Sequence, residues 1–162
     1  MQGSVLRLPF TGKRFNLVTS FDVLYEEGVS SEREAMQEFH RVLVPGGRLF
    51  LRLPALEWMR RSHDKAVLMR RRYTRGEVAR IMRESGFILD ICSYANCLLF
   101  PAVLAKKCAE MLLPSVRRPS DLEIEFGRMN TPLARVLALE APLIARGGLP
   151  LGLSIIAAGR KT

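Results

Sequence analysis

The sequence predicts an α/β fold organised around one β-α-β unit, and three features carry that expectation. Residues 15–21 read as an apolar strand that ends on the acid Asp22. Ser31-Glu32-Arg33-Glu34 fits a helix-opening capping box, in which the Ser31 hydroxyl and the Glu34 carboxylate satisfy free backbone donors reciprocally. Pro45-Gly46-Gly47 then turns the chain into a second apolar strand at residues 48–53. In open α/β sheets, ligands lie beyond the carboxyl ends of the parallel strands. Ser20, Phe21 and Asp22 are therefore the first binding-site candidates. Residues 1–14 contain no glycine-rich phosphate or nucleoside loop.

Inside the unit, Ala35, Met36, Phe39, Val42 and Leu43 recur at helical spacing and make one apolar stripe. Residues 56–72 carry Trp58, the pair His63-Asp64 and a run of arginines with little periodicity, which predicts a loop with helical pieces. Thr74-Arg75-Gly76-Glu77 is a second capping box, followed by Val78, Ile81 and Met82 on one face and Gly86 as the stop. A third strand is expected at residues 87–94. Residues 98–113 form an amphipathic helix with Lys106, Lys107 and Glu110, and residues 114–126 an exposed loop. Thr131-Pro132 opens a further helix, with proline at its first position. Leu133, Val136, Leu137, Leu143 and Ile144 are its stripe, and Gly147-Gly148 its end. Residues 154–158 read as a last strand before a basic tail, Arg160-Lys161.

With 162 residues the chain has room for one domain with a core. No apolar run approaches the roughly 18 residues that span a bilayer. The start of the chain lacks the basic region and apolar core of a secretory signal. Three cysteines, an odd number, argue against a disulfide framework. A cytoplasmic location is expected. Cys92, Cys97 and Cys108 lack zinc-site spacing with His40 and His63, so no metal is expected.

The net charge of +9 favours anionic partners. Its clusters (Arg60-Arg61, Arg70-Arg71-Arg72, Arg117-Arg118) are short and not interleaved with aromatic residues as a base-stacking platform would be. No nucleic acid is expected. The basic amphipathic stretch at residues 98–113 leaves two readings open: a peripheral membrane contact, or a cover over a core face or pocket.

An ordered set of short motifs resembles a known family. It comprises Leu8-Pro9-Phe10, Phe15-Asn16-Leu17-Val18, Asp22-Val23-Leu24, Phe39-His40-Arg41-Val42-Leu43 and Pro45-Gly46-Gly47-Arg48-Leu49. His63-Asp64, Arg71-Arg72-Tyr73-Thr74, Ser85-Gly86-Phe87, Ser93-Tyr94-Ala95-Asn96 and the Leu149 to Ser154 ending extend it. The set resembles the second half of class I S-adenosylmethionine-dependent methyltransferases of the type 11 group.

That resemblance implies a partial Rossmann-like sheet of family strands 4-5-7-6, the last strand antiparallel, with flanking helices and without the first strands. It implies a single truncated domain over residues 1–162, with residues 1–55 on the cofactor side and 56–162 on the substrate side. Residues 3–6 would end family strand three, with Ser4, Val5 and Leu6 bordering adenine. Ser20, Phe21 and Asp22 would face the methionine part of S-adenosylmethionine.

The implied reaction is methyl transfer to a small-molecule acceptor. His63 is the candidate base, and Tyr25, Glu26, Arg71, Arg72 and Tyr73 are the candidate substrate contacts. The family's glycine-rich cofactor loop and its ribose-binding acid have no counterpart here. The sequence is thus expected to be a truncated methyltransferase whose first strand is left as an apolar edge. The alternative is a non-catalytic module that associates with itself through that edge.

Overall fold

The computed structural model describes residues 3–59, 69–112 and 130–162. Its strands are β1 (Phe15–Phe21), β2 (Leu43–Pro54), β3 (Phe87–Ala95) and β4 (Ser154–Lys161). They lie in the order β1-β2-β4-β3. β1 runs parallel to β2, while β4 is antiparallel to both its neighbours. This is the 4-5-7-6 arrangement that the resemblance implies. The helices are α1 (Glu32–Val42), α2 (Arg75–Glu84), α3 (Phe100–Leu112), α4 (Asn130–Ala138) and α5 (Glu140–Arg146). The expected loop at 114–126 lies outside the described residues.

The core forms because two periodicities meet. Along β2, Leu49, Leu51 and Leu53 point to one face, since successive strand side chains alternate. Ala35, Met36 and Phe39 of α1 and Val78 and Met82 of α2 cover that face. Ile155 and Ala157 of β4 and Phe87 of β3 complete it. Both helices start where the sequence signals. The Ser31 hydroxyl accepts the Glu34 N–H at 3.2 Å. At Thr74 the box closes both ways: its hydroxyl accepts the Glu77 N–H at 3.3 Å, and the Glu77 carboxylate accepts the Thr74 N–H at 2.8 Å. Gly86, at φ +84°, ends the turn that follows α2.

Four expectations need correcting. Residues 3–6 do not end a strand; they make a turn closed by the Arg7 N–H to the Ser4 carbonyl at 3.1 Å. Pro45-Gly46-Gly47 does not precede the second strand but lies inside it, because Leu43 already pairs with Phe15 and the ladder resumes at Leu17 and Arg48. The helix at 131–147 is broken into α4 and α5. Pro142 explains the break: it has no N–H to offer the carbonyl four residues back, and its ring would crowd that carbonyl. Finally, Arg160 and Lys161 belong to β4. The Lys161 ammonium donates to the carbonyls of His40 at 2.6 Å and Leu43 at 2.9 Å, which ties the strand to the end of α1.

Gly159 sits in register between Leu49 and Leu89. A Cβ there would stand 2.8 Å from the Ile88 carbonyl oxygen and 2.9 Å from the Met82 methyl. Gly159→Ala is therefore expected to cost about 1–3 kcal/mol, read as a lower midpoint with unchanged slope in urea unfolding.

Candidate functional site

The carboxyl tip of β1 carries Ser20, Phe21 and Asp22. Parallel register sets Ser20 beside Leu51 and Phe21 beside Arg52. Asp22 turns the chain at φ +56°, a left-handed conformation that its short side chain tolerates. Its N–H donates to the Arg52 carbonyl at 3.0 Å. The Arg52 Nε donates to the Asp22 carboxylate at 2.8 Å, and a second guanidinium nitrogen reaches the same oxygen. Phe21 meets Phe50 edge-on, with ring centroids 5.7 Å apart, and stays 53% exposed. The tip is thus held by backbone register plus one ion pair.

Beside it, a cavity of about 310 Å³ opens along the free side of β1. Val5, Leu8, Val18, Ser20, Phe39 and Val42 are among its walls. It brings together two of the expected cofactor residues, Val5 and Ser20; Ser4, Leu6, Phe21 and Asp22 stand outside its lining. The Ser4 hydroxyl accepts the Leu6 N–H at 3.2 Å. Ser20 is 5% exposed, and its hydroxyl has no hydrogen-bond partner among the described residues. A buried polar group left unpaired costs about 1–3 kcal/mol. Its place on the wall of an apolar cavity suits a ligand that supplies the missing partner.

The expected substrate residues gather at one knot. The Arg70 N–H donates to the Tyr25 carbonyl at 2.8 Å, and Glu26 bridges to Met69. Tyr73 is buried, and its hydroxyl lies 3.2 Å from the Leu24 carbonyl and 3.0 Å from the Glu32 carboxylate. Arg70 pairs with Glu32, and the Arg71 guanidinium donates to Glu77 at 3.0 Å while stacking 4.4 Å from the Tyr73 ring. The Arg72 side chain donates to the Ala55 carbonyl at 3.1 Å, and its N–H to Glu57 at 2.8 Å. The side chains of Arg70, Arg71, Arg72 and Tyr73 thus take partners within the chain. Burial first, and the Glu32 charge second, push the Tyr73 phenol well above its ordinary value.

His63 and Asp64 lie outside the described residues. The helical stretch from residue 98 is α3, and Lys107 rests 5.7 Å from the Trp58 ring. Among the described residues no helix is long and apolar enough to cross a membrane, and no cluster fit to hold a metal occurs.

Three residues carry more of this site than the sequence reading credited. Arg52 anchors Asp22, Glu32 gathers Arg70, Arg71 and Tyr73, and buried Glu140 accepts the N–H groups of Asn96 at 2.7 Å and Leu98 at 2.8 Å. The available signal for Glu140 is a lone acid in a mostly apolar stretch; for Arg52 it is a base near the end of one strand, with an acid just past the end of the other.

Residues 1–51 match a family model described as a methyltransferase domain. No curated protein matches the chain significantly. Among solved structures, the chain is similar to an S-adenosylmethionine-dependent methyltransferase from Thermotoga maritima (TM-score 0.56, 16% identity, 100% of this chain and 63% of that one). It is similar to the cyclase SpnF (0.53, 18%, 98% and 54%). It is also similar to Haemonchus contortus phosphoethanolamine N-methyltransferase 2, solved with S-adenosyl-L-methionine (0.54, 15%, 98% and 36%). At these identities the likeness is one of fold, and the chain spans less than two thirds of each relative. The match over residues 1–51 is thus to a methyltransferase domain, and the fold of the whole chain is the one that these solved structures share.

Tyr73→Phe removes a buried hydroxyl that bridges Leu24 and Glu32, for an expected loss of about 1–3 kcal/mol. The phenol's folded pKa is raised, so its contribution is complete below the ordinary tyrosine value of about 10 and fades as pH rises toward the folded value. Urea unfolding from neutral to strongly alkaline pH should show that decline in the wild type and a flatter one in Tyr73→Phe.

Proposed function

We propose that this chain takes part in methyl transfer from S-adenosylmethionine to a small-molecule acceptor, contributing one wall of the cofactor site and the substrate-side half of the domain. The observation that carries this reading is the buried, unpartnered Ser20 hydroxyl on an apolar cavity beside the β1 tip. The family match over residues 1–51 covers that tip.

The residues present fit part of such a cofactor. Val5, Leu8 and Val18 offer an apolar surface to a flat base, with Ser4 and Leu6 at its border. Ser20 offers a hydroxyl that both donates and accepts. Asp22 offers a carboxylate, fixed by Arg52, to balance an ammonium group. The cofactor, when bound, supplies a methyl group on a positively charged sulfur, ready for in-line displacement. The protein's part is then proximity and alignment.

Tyr25 and Glu26 follow the tip and face the acceptor in this reading. Arg71, Arg72 and Tyr73 act on it through the knot that fixes the Tyr25 segment. His63, in the segment after β2, takes the proton from an acceptor that must lose one. The likeness to a cyclase means that the fold leaves the reaction open, so transfer itself has to be read.

The test is calorimetric titration of the protein, expressed from its complete reading frame, with S-adenosylhomocysteine. Saturable micromolar binding is expected, weakened about tenfold or more by Ser20→Phe, which fills the cavity. Absence of binding, or binding indifferent to that change, overturns the assignment of the site. Transfer of isotopically labelled methyl from S-adenosylmethionine to members of a small-molecule panel is expected as well, and its absence alongside tight binding would leave the reaction class wrong.

A further inference from the structure

The outer edge strand β3 and helix α2 enclose a second cavity, of about 290 Å³, away from the β1 edge. Arg75, Ala79 and Arg83 line it from the helix, and Leu89, Ile91 and Cys92 from the strand. The three helical residues recur at intervals of four, which sets them on one face. The two arginines stand about 12 Å apart along the axis, with a small alanine between them. Neither guanidinium has an ion-pair partner among the described residues, in contrast to Arg41, Arg52, Arg70, Arg71 and Arg160.

One acid, Asp90, also lines the cavity and is already engaged: the Arg160 Nε donates to it at 3.0 Å. Burial raises the Cys92 thiol, while the charges of Arg75 and Arg83 pull it the other way. At the mouth, a Cβ on Gly76 would meet nothing within 4 Å.

We propose that this groove binds a small phosphomonoester, its dianionic head held between Arg75 and Arg83 and its body resting on Leu89 and Ile91. Guanidinium groups match phosphate oxygens in bidentate geometry, and two of them balance a double negative charge. The apolar floor and limited volume suit a compact organic phosphate. A nucleic-acid strand would need an extended groove with aromatic stacking faces, and this lining has none. The net charge of +9 steers such an anion toward the surface. The inference stands apart from the methyl-transfer reading, since it uses none of the same residues.

The test titrates the full chain with glycerol 3-phosphate at low ionic strength, by calorimetry. Saturable binding at submillimolar ligand is expected. Arg75→Ala and Arg83→Ala should each weaken it by about tenfold or more, and the exposed Arg33→Ala on α1 should leave it unchanged. A second readout is alkylation by iodoacetamide, mapped by mass spectrometry. Bound phosphomonoester should slow modification of Cys92, by covering it and neutralising the two guanidinium charges, and leave the exposed Cys108 unaffected. Failure to saturate at millimolar ligand, equal weakening by Arg33→Ala, or equal protection of both cysteines would overturn the proposal.

Discussion

The register of β2 governs this fold. On one face its Leu49, Leu51 and Leu53 lie beneath α1 and α2, each buried leucine worth about 1.5–3 kcal/mol. On the other face, Arg52 lies exposed and reaches across to Asp22. A slip of one residue would exchange the two faces. It would drive Arg52 into the core, expose the leucines and separate Asp22 from its guanidinium. The same alternation that stabilises the sheet therefore fixes the geometry of its carboxyl tips.

Charge organisation supplies the second level of order. In this basic chain, several of the sixteen acids gather cations or close a backbone. Glu32 opens α1 and at the same time meets Arg70, Arg71 and the Tyr73 hydroxyl. Residues 69–73 become a strap across the top of the sheet, joined to Glu26 at one end and to Ala55 at the other. The phenol of Tyr73, at its Ala55 end, stays protonated because burial, and then the neighbouring Glu32 charge, oppose its ionisation. This explains how an arginine run that reads as substrate-facing comes to be half-buried and held by partners within the chain.

Local signals were legible in the sequence, and pairings that depend on register were not. β1 runs from Phe15 to Phe21 as expected, and both serine and threonine caps sit where the sequence signals them, because each depends on neighbours within a few residues. The strand that starts early at Leu43 was hidden because Gly46 and Gly47 look like a turn until Phe15 is known to lie alongside. Pro142 was visible yet unused as a helix break. At the site, Ser20 to Asp22 followed from strand order alone, whereas the Arg52 partner required the β1–β2 register. The burial of Tyr73 was hidden for the same reason: its neighbours Leu24 and Glu32 lie more than forty residues away.

The two margins of the sheet are unequal. β3 carries a bulge at Asp90, whose side chain is tethered to Arg160, and Leu149 already bridges to its far end at Tyr94. Such irregularities blunt a strand against recruitment. β1 has no comparable defence among the described residues, and Leu17 stands 57% exposed along it. The two edges thus differ in what they present: an unpaired apolar strand beside Leu17, and a kinked, tethered one beside Asp90.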